Sequence, residues 1–190
     1  IDLFRISQDY MNRASSYMND KPPCLILIGG LSGTGKSTLG AELAPYCGRC
    51  PGALHLRSDL ERKRLFSVSE LDHLPQGYYS NEINDRVYSV MLTKADTALR
   101  AGHSVIVDAV FAKAEERLEM EDLAKRLDTK IFKFWLDAPT SVLLDRVSER
   151  NLDASDATKD VVLKQSQYDL GNLTWDRIDA SRSLDEIISH

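Results

Sequence analysis

The sequence predicts an α/β fold in which a five-stranded parallel sheet is covered by helices on both faces. Strand-like segments of five to seven residues alternate along the chain with segments whose apolar residues recur at helical spacing. This alternation is typical of parallel sheets, because consecutive parallel strands are joined by a crossover, usually a helix. The predicted strands are Cys24–Ile28, Leu54–Ser58, Ser104–Asp108, Ile131–Asp137 and Trp175–Ala180.

The segments around these strands predict the helices. Ahead of the first strand, Leu3, Ile6, Tyr10, Ala14 and Tyr17 recur at the spacing of an amphipathic helix. After the first strand the helices are expected at 38–44, from 59 onward, at 78–100, around 120–127, after Pro139, up to 170, and at 184–188. We therefore predict two parts, an N-terminal helix and linker at 1–22 and a single domain at 23–190.

Composition limits the classes of function. The chain is 43% hydrophobic and 28% charged, and no apolar run approaches the roughly 20 residues needed to cross a bilayer. A net charge of −5 without a basic stripe argues against binding long nucleic acid. Three cysteines, an odd number, and the lack of a recognisable secretory signal predict a reducing, cytoplasmic setting. Cys47 and Cys50 form a C-x-x-C pair that is either a weak metal or redox signal or an ordinary loop.

The strongest functional signal is the segment 30–37, which reads G-x-x-x-x-G-K-S between a predicted strand and a predicted helix. This is the context of a P-loop, in which backbone N–H groups and a helix N-terminus bind phosphate. Lys36 is expected to reach the β- and γ-phosphates of ATP, and Ser37 to join a Mg²⁺ shell. A P-loop NTPase fold follows, with nucleotide-binding residues Gly30, Ser32, Gly33, Thr34, Gly35, Lys36, Ser37, Thr38 and Arg146.

Two charged residues follow the second strand, at the sheet edge where ligands of parallel sheets gather. Asp59 and Arg62 lie three residues apart, so they share one face of a helix. Asp59 is a candidate base for an acceptor hydroxyl, and Arg62 is a candidate to hold the acceptor or the transferred phosphoryl group. The alternative for Ser58 or Asp59 is an N-cap of the helix, and both roles are compatible.

Three further residues complete the predicted catalytic and metal sites. Asp108 ends the third strand and is expected to organise Mg²⁺, with a solvent-facing strand end as the alternative. Arg146 and Arg150 lie four residues apart on a helix before a polar stretch, so they are expected to close over the nucleotide as part of a lid. Their alternative is surface pairing with Asp145 or Glu149.

Four segments resemble the P-loop kinases of the zeta-toxin, polynucleotide-kinase and chloramphenicol-phosphotransferase type. They are 29–38, 56–59, 105–109 and 135–139. The resemblance implies that Asp59 acts on the acceptor hydroxyl and that Arg146 and Arg150 close over the nucleotide. This group includes bacterial proteins in which such a domain follows an aminoglycoside-phosphotransferase-like domain. The N-terminal helix and a first residue other than Met fit a piece of such a protein, so an upstream domain is an expected partner.

The combined motifs predict an ATP- and Mg²⁺-dependent kinase. Lys36, Asp59, Arg62, Arg146 and Arg150 are the predicted catalytic residues, and Ser37 and Asp108 the predicted metal ligands. The acceptor would be a hydroxyl of a small molecule or of a nucleotide end, with no membrane partner. The alternative is a nucleotide-binding regulatory module that acts on a fused or partner domain. A GTPase is disfavoured, because the sequence contains no N-K-x-D motif.

Overall fold

The computed structural model describes residues 2–18, 21–149 and 155–188. Its five strands form one sheet in the order β2-β3-β1-β4-β5, and every pairing is parallel. The five-stranded parallel sheet predicted from the sequence is therefore confirmed. The strands are β1 (Cys24–Gly30), β2 (Leu54–Arg57), β3 (Val105–Asp108), β4 (Lys130–Asp137) and β5 (Asp176–Asp179).

The described helices occupy the segments in which helical periodicity was expected. Their bounds are α1 (Leu3–Met18), α2 (Lys36–Leu43), α3 (Ser58–Leu65), α4 (Asn81–Arg100), α5 (Ala114–Arg126), α6 (Thr140–Glu149), α7 (Lys159–Gln165) and α8 (Leu184–Ile188). Short 3₁₀ turns occupy Ala44–Tyr46 and Gln76–Tyr79. The prediction that the fourth helix begins at 78 was wrong, because the 3₁₀ turn comes first and Ser80 caps α4 by accepting the Ile83 N–H.

Two apolar clusters cover the two faces of the sheet. Successive side chains of a strand point to opposite faces, so Leu25 and Leu27 of β1 enter one cluster and Ile26 and Ile28 enter the other. The larger cluster includes buried side chains of α4 and α5, among them Met91. The smaller one includes Leu39 of α2 and is packed by partly buried residues of α8. Helices on both faces thus leave the carboxyl ends of the strands open for a site.

Helix α1 lies outside this core. The side chains of Leu3, Phe4, Tyr10 and Met11 are 71–74% exposed, so the apolar residues of the helix face outward. The predicted N-terminal helix therefore forms, with no burial of these side chains. Within the described residues, no helix has both the length and the apolar character needed to cross a bilayer.

Candidate nucleotide and acceptor site

A cavity of about 810 Å³ opens at the carboxyl ends of β1, β2 and β3. Its described wall comes from the P-loop, α3, the start of α4, the segment after β3, and α7 with the residues before it. The cavity brings together most of the residues predicted from the sequence. Those in its wall are Ser32, Gly33, Gly35, Lys36, Ser37, Thr38, Asp59, Arg62 and Asp108.

Four predicted residues are placed differently. Gly30 and Thr34 belong to the P-loop but do not contribute to the described cavity wall. Arg146 is half-buried on α6 and is also absent from that wall. Arg150 lies outside the described residues. The expected closure by the two arginines therefore stays a prediction.

The backbone conformation of the P-loop requires glycine at two positions, Gly30 and Gly33. Gly30 has φ +144°, and a Cβ there would lie 2.6 Å from the carbonyl oxygen of Leu136. Gly33 has φ +88°, and its Cβ would lie 3.0 Å from the carbonyl oxygen of Leu143. A side chain at either position would be strained and would clash with the backbone of a neighbouring element. These positions require glycine for the loop to curl between β1 and α2.

The carbonyl oxygen of Leu31 accepts three hydrogen bonds from donors of the P-loop. The Leu31 oxygen accepts hydrogen bonds from Lys36 Nζ at 2.9 Å, from Thr34 Oγ1 at 2.8 Å and from the Thr34 N–H at 3.3 Å. Thr34 is buried, and both of its donors are used inside the loop. The Thr34 side chain thus stabilises the loop, and Lys36 is held near the carbonyl end of the Leu31–Ser32 peptide.

Asp59 lies in the first turn of α3 and faces the cavity. The cap position of α3 is Arg57, and no side chain makes a capping hydrogen bond there, so the N-cap alternative was wrong. Burial is the main reason why the pKa of Asp59 is raised, and the nearby Asp108 adds to the effect. A hydrogen bond with Ser155 and the charges of Lys36 and Arg62 oppose this shift without cancelling it. Asp59 is therefore a carboxylate of increased basicity beside the P-loop lysine.

Arg62 is a buried cation in the wall next to Asp59. Its side chain donates from Nη1 to the Tyr78 carbonyl at 3.2 Å, and its guanidinium carbon lies 4.7 Å from the centre of the Tyr79 ring. Burial lowers the pKa of Arg62, opposed by the charge of Asp59. Its Nε makes no hydrogen bond to any described residue, although it is shielded from solvent. A buried donor without an acceptor is costly, so a ligand oxygen that reached this atom would be stabilised.

Asp108 presents an acceptor at the end of β3. Its side chain is 4% exposed, which excludes the solvent-facing alternative. Oδ2 lies 3.3 Å from His55 Nε2 and 3.9 Å from Arg57 Nε, yet makes no hydrogen bond with the part of the chain that the structure describes. Ser37 lines the same cavity, and one carboxylate with one hydroxyl fits the sparse protein ligation that Mg²⁺ usually receives.

In the described part of the chain, no group of three or more His, Cys, Asp or Glu side chains is arranged to hold a metal ion. Cys47 and Cys50 are free cysteines, so the C-x-x-C pair forms no disulfide.

Asp156 is a site residue that the sequence reasoning missed. Its carboxylate lies 2.8 Å from His73 Nδ1, accepts from the Leu74 N–H at 3.1 Å and from Tyr79 Oη at 2.9 Å, and lies 3.4 Å from Lys63 Nζ. Asp156 therefore connects the segment before α7 to α3 and to the loop before α4. Its position in a polar stretch predicted only a lid, and no spacing pattern marked it.

Gln165 is the second missed residue. It ends α7, is 9% exposed, and its Oε1 accepts the N–H of Ser32 in the P-loop at 2.8 Å. The only sequence signal was its position three residues after Val162, because both side chains then share the buried face of the helix.

The far side of the cavity carries hydroxyl, amide and carboxyl groups. Tyr79, Asn81, Asn84, Tyr88 and Glu116 contribute to this wall. Burial is the main cause that raises the pKa of both Tyr88 and Glu116. These groups can donate to and accept from the hydroxyls of a second ligand beside Asp59.

Residues 25–169 match the family described as "AAA domain". The chain belongs to this AAA domain family. The match covers the sheet strands β1 to β4, the P-loop, and the residues that line the cavity.

Curated relatives of this AAA domain come from mycobacteria. The chain is 32% identical over 167 residues to "Uncharacterized protein Rv2004c" of Mycobacterium tuberculosis (strain ATCC 25618 / H37Rv). It has the same identity to "Uncharacterized protein Mb2027c" of Mycobacterium bovis. Each alignment covers 84% of this chain and 33% of the relative. The chain therefore spans about a third of the length of these relatives.

The AAA domain also has the fold of several solved kinases. A gluconokinase from Sinorhizobium meliloti 1021 superposes with a TM-score of 0.62 at 19% identity, covering 89% of both chains. A sugar kinase from Janibacter sp. HTCC2649 gives 0.64 at 20% identity, covering 88% of this chain and 91% of the other. The APS kinase CysC of Mycobacterium tuberculosis, in complex with AMPPNP and APS, gives 0.58 at 20% identity, covering 87% and 92%. These similarities establish the P-loop α/β fold.

Proposed function

We propose that this AAA domain is an ATP- and Mg²⁺-dependent phosphotransferase that moves the γ-phosphate to a hydroxyl of a small molecule or nucleotide end. One observation carries the proposal. Asp59, a carboxylate with a raised pKa, shares a cavity with the P-loop Lys36 and the buried Arg62. The kinases of similar fold, which include a gluconokinase and an APS kinase, add support for this class of reaction.

The proposed reaction is an in-line displacement at the γ-phosphorus. The acceptor oxygen forms the new P–O bond, the bond to the β–γ bridging oxygen breaks, and ADP leaves with that electron pair. Asp59 takes the proton from the acceptor hydroxyl. Lys36 and Arg62, with Arg146 and Arg150 from the predicted lid, stabilise the charge on the transferred phosphoryl group.

Ser37 and Asp108 are the residues that would hold Mg²⁺. The fit rests on Asp108 Oδ2, a shielded acceptor that makes no hydrogen bond within residues 2–18, 21–149 and 155–188. A bound Mg²⁺ would neutralise charge on the β- and γ-phosphates. Asp108 and Asp59 then have separate roles, the first toward the metal and the second toward the acceptor.

The proposal also includes the type of P-loop kinase that the sequence resembles. Asp59, Arg62 and Asp108 carry the resemblance to the zeta-toxin, polynucleotide-kinase and chloramphenicol-phosphotransferase type, and all three face one cavity. We also propose that residues 1–22 are separate from the kinase domain at 23–190, and that an upstream phosphotransferase-like domain is a partner. The exposed apolar side chains of α1 favour this division.

A screen for acceptor-dependent ATP consumption tests the proposed function. Purified protein is supplied with Mg²⁺-ATP and a panel of sugars, other hydroxyl metabolites, aminoglycosides and 5′-hydroxyl oligonucleotides, and ADP release is measured. A stimulated rate that Lys36→Ala abolishes supports a kinase. ATP binding without transfer to any class of hydroxyl would favour the regulatory module.

Asp59→Asn tests the base. We expect turnover to fall roughly 10²- to 10⁴-fold, because the acceptor hydroxyl loses its proton acceptor, while ATP affinity and melting temperature change little. The rate of the wild type should rise with pH through the pKa of Asp59, which lies above the ordinary value of 3.8. This acidic limb should be missing from the kcat/KM profile of the variant. Full activity in Asp59→Asn would assign the proton transfer to another group.

A further inference from the structure

Gln165 makes a long-range contact that the proposed reaction has not used. Its Oε1 accepts the Ser32 N–H at 2.8 Å across 133 residues of sequence, and the side chain is nine-tenths buried. Gln165 also contributes to the wall of the cavity. A neutral amide thus binds a backbone donor of the loop whose N–H groups are expected to meet phosphate.

The contact acts on the same peptide group as the P-loop lysine. Ser32 N–H and Leu31 C=O belong to one planar peptide, and the Leu31 oxygen accepts from Lys36 Nζ at 2.9 Å. Because Lys36 is expected to reach the β- and γ-phosphates, we expect this peptide to lie at the γ-phosphate end of the loop. Gln165 therefore fixes the orientation of the peptide beside which the γ-phosphate is expected.

The side-chain amide of Gln165 also carries N–H donors that can bind a ligand. An amide carries two N–H donors besides its oxygen, and the hydrogen bond from Ser32 assigns the oxygen to the loop side. The nitrogen branch of the same group is then available as a neutral donor. A donor directed at the γ-phosphate would distinguish ATP from ADP, since only ATP carries a γ-phosphoryl group.

We propose that Gln165 is a γ-phosphate-binding residue: its Oε1 holds the Leu31–Ser32 peptide while its Nε2 donates to a γ-phosphoryl oxygen. The inference rests on the proposed function only for nucleotide binding and needs no acceptor. It also makes α7, which follows the predicted lid, part of the nucleotide site.

The test compares the binding of two nucleotides by calorimetry in the presence of Mg²⁺. For Gln165→Met, which keeps the length of the side chain, we expect the affinity for AMPPNP to fall about tenfold and that for ADP less than twofold. Gln165→Glu keeps an acceptor for the Ser32 N–H but loses the donors and adds a negative charge. It should lose more AMPPNP affinity than Gln165→Met and again spare ADP.

Gln167→Met is the matched control, because Gln167 is exposed and lies outside the described cavity wall. It should leave both affinities unchanged. Equal losses for AMPPNP and ADP in the Gln165 variants, or no loss in either, would reduce Gln165 to a packing residue. If Gln165→Met does not fold, the comparison of AMPPNP and ADP affinity in Gln165→Glu tests the proposal by itself. If no acceptor stimulates ATP consumption but the Gln165 variants still lose AMPPNP affinity selectively, only the kinase proposal is overturned. A wild type that binds neither nucleotide would overturn both the kinase proposal and the role of Gln165.

Discussion

The carboxylate of Asp156 holds the loop before α4 against the segment before α7. Its side chain is 6% exposed. Burial by itself would raise the pKa of Asp156, but the Leu74 N–H, Tyr79, His73 and Lys63 together lower it below the ordinary value. The charged form is therefore the stabilised one, and the contact couples the two walls of the cavity.

Removing this charge should weaken the fold around the cavity. We expect Asp156→Asn to cost about 1–3 kcal/mol at neutral pH, which lowers the melting temperature by roughly 2–10 °C in a domain of this size. Because the folded-state pKa is lowered, the stabilisation is present above the unfolded value and is lost as the pH falls through the folded one. The difference between variant and wild type in thermal melts should shrink below about pH 3.8.

Asp160→Asn, an exposed change on α7, provides the comparison for Asp156→Asn and should change the melting temperature far less. If the two variants melted alike at neutral pH, the contacts of Asp156 would contribute nothing measurable to stability.

At the scale of residues, the sequence predicted the charged groups at the ends of strands and missed Asp156 and Gln165, which lie before α7 and at its end. The positions of Asp59 and Asp108 in the cavity wall could be predicted, because carboxyl ends of parallel strands meet at one edge of the sheet. Asp156 and Gln165 have no such rule. Their partners lie 77 to 133 residues away, and only the folded chain brings them together.

At the scale of elements, α2 packs closely on β2. A Cβ added at Gly40 would lie 2.5 Å from His55 Nε2, the atom that approaches Asp108. We expect Gly40→Ala to force His55 aside and to destabilise the protein by about 1–2 kcal/mol, because the cost of overpacking exceeds the gain of up to about 1 kcal/mol from replacing Gly inside a helix. A denaturant titration of the variant measures this loss.

Gly77→Ala is the matched change for Gly40→Ala. A Cβ at Gly77 meets nothing within 4 Å, and its backbone is not in the left-handed region. The unfolding midpoint should move only slightly for Gly77→Ala. A Gly40→Ala protein as stable as the wild type would show that His55 adjusts without cost.

The ends of helices were harder to predict than their existence. The seventh helix was expected to reach 170 but ends at Gln165. Nearby, Asp169 accepts the Gly171 N–H at 2.9 Å, and Gly171 has φ +59°. An aspartate that bonds to the backbone two residues ahead favours a turn over a helix. This turn is incompatible with a helix that continues to 170, and the spacing of apolar residues in the sequence does not reveal it.

At the scale of the whole molecule, nucleotide binding should stabilise the fold. Mg²⁺-ATP at 100 times its dissociation constant should add about 2.7 kcal/mol. The resulting rise in melting temperature should vanish in Lys36→Ala, while the variant without ligand melts close to the wild type. Turnover should fall about 10²-fold or more. An unchanged thermal shift in Lys36→Ala would place the nucleotide elsewhere.

The order of the strands was beyond the sequence pattern. Alternating strands and helices predict a parallel sheet, but they do not specify that β1 lies between β3 and β4. The exposure of α1 could not be predicted either. Its amphipathic spacing predicts an apolar face, but it does not show whether another part of the protein covers that face. Both properties depend on contacts between segments distant along the chain.

The position of β1 at the centre of the sheet delays its pairing while the protein is being synthesised. Leu25 pairs with Val105 on one side and with Ile131 on the other, partners that are 80 and 106 residues later in the chain. At roughly 5–20 residues per second, the ribosome needs about 4–16 s after making β1 before its first neighbour exists. During that interval the most apolar strand of the protein has no edge to join. Before β3 emerges, the contacts with α2, which follows β1 in the chain, are among the native contacts available to cover β1.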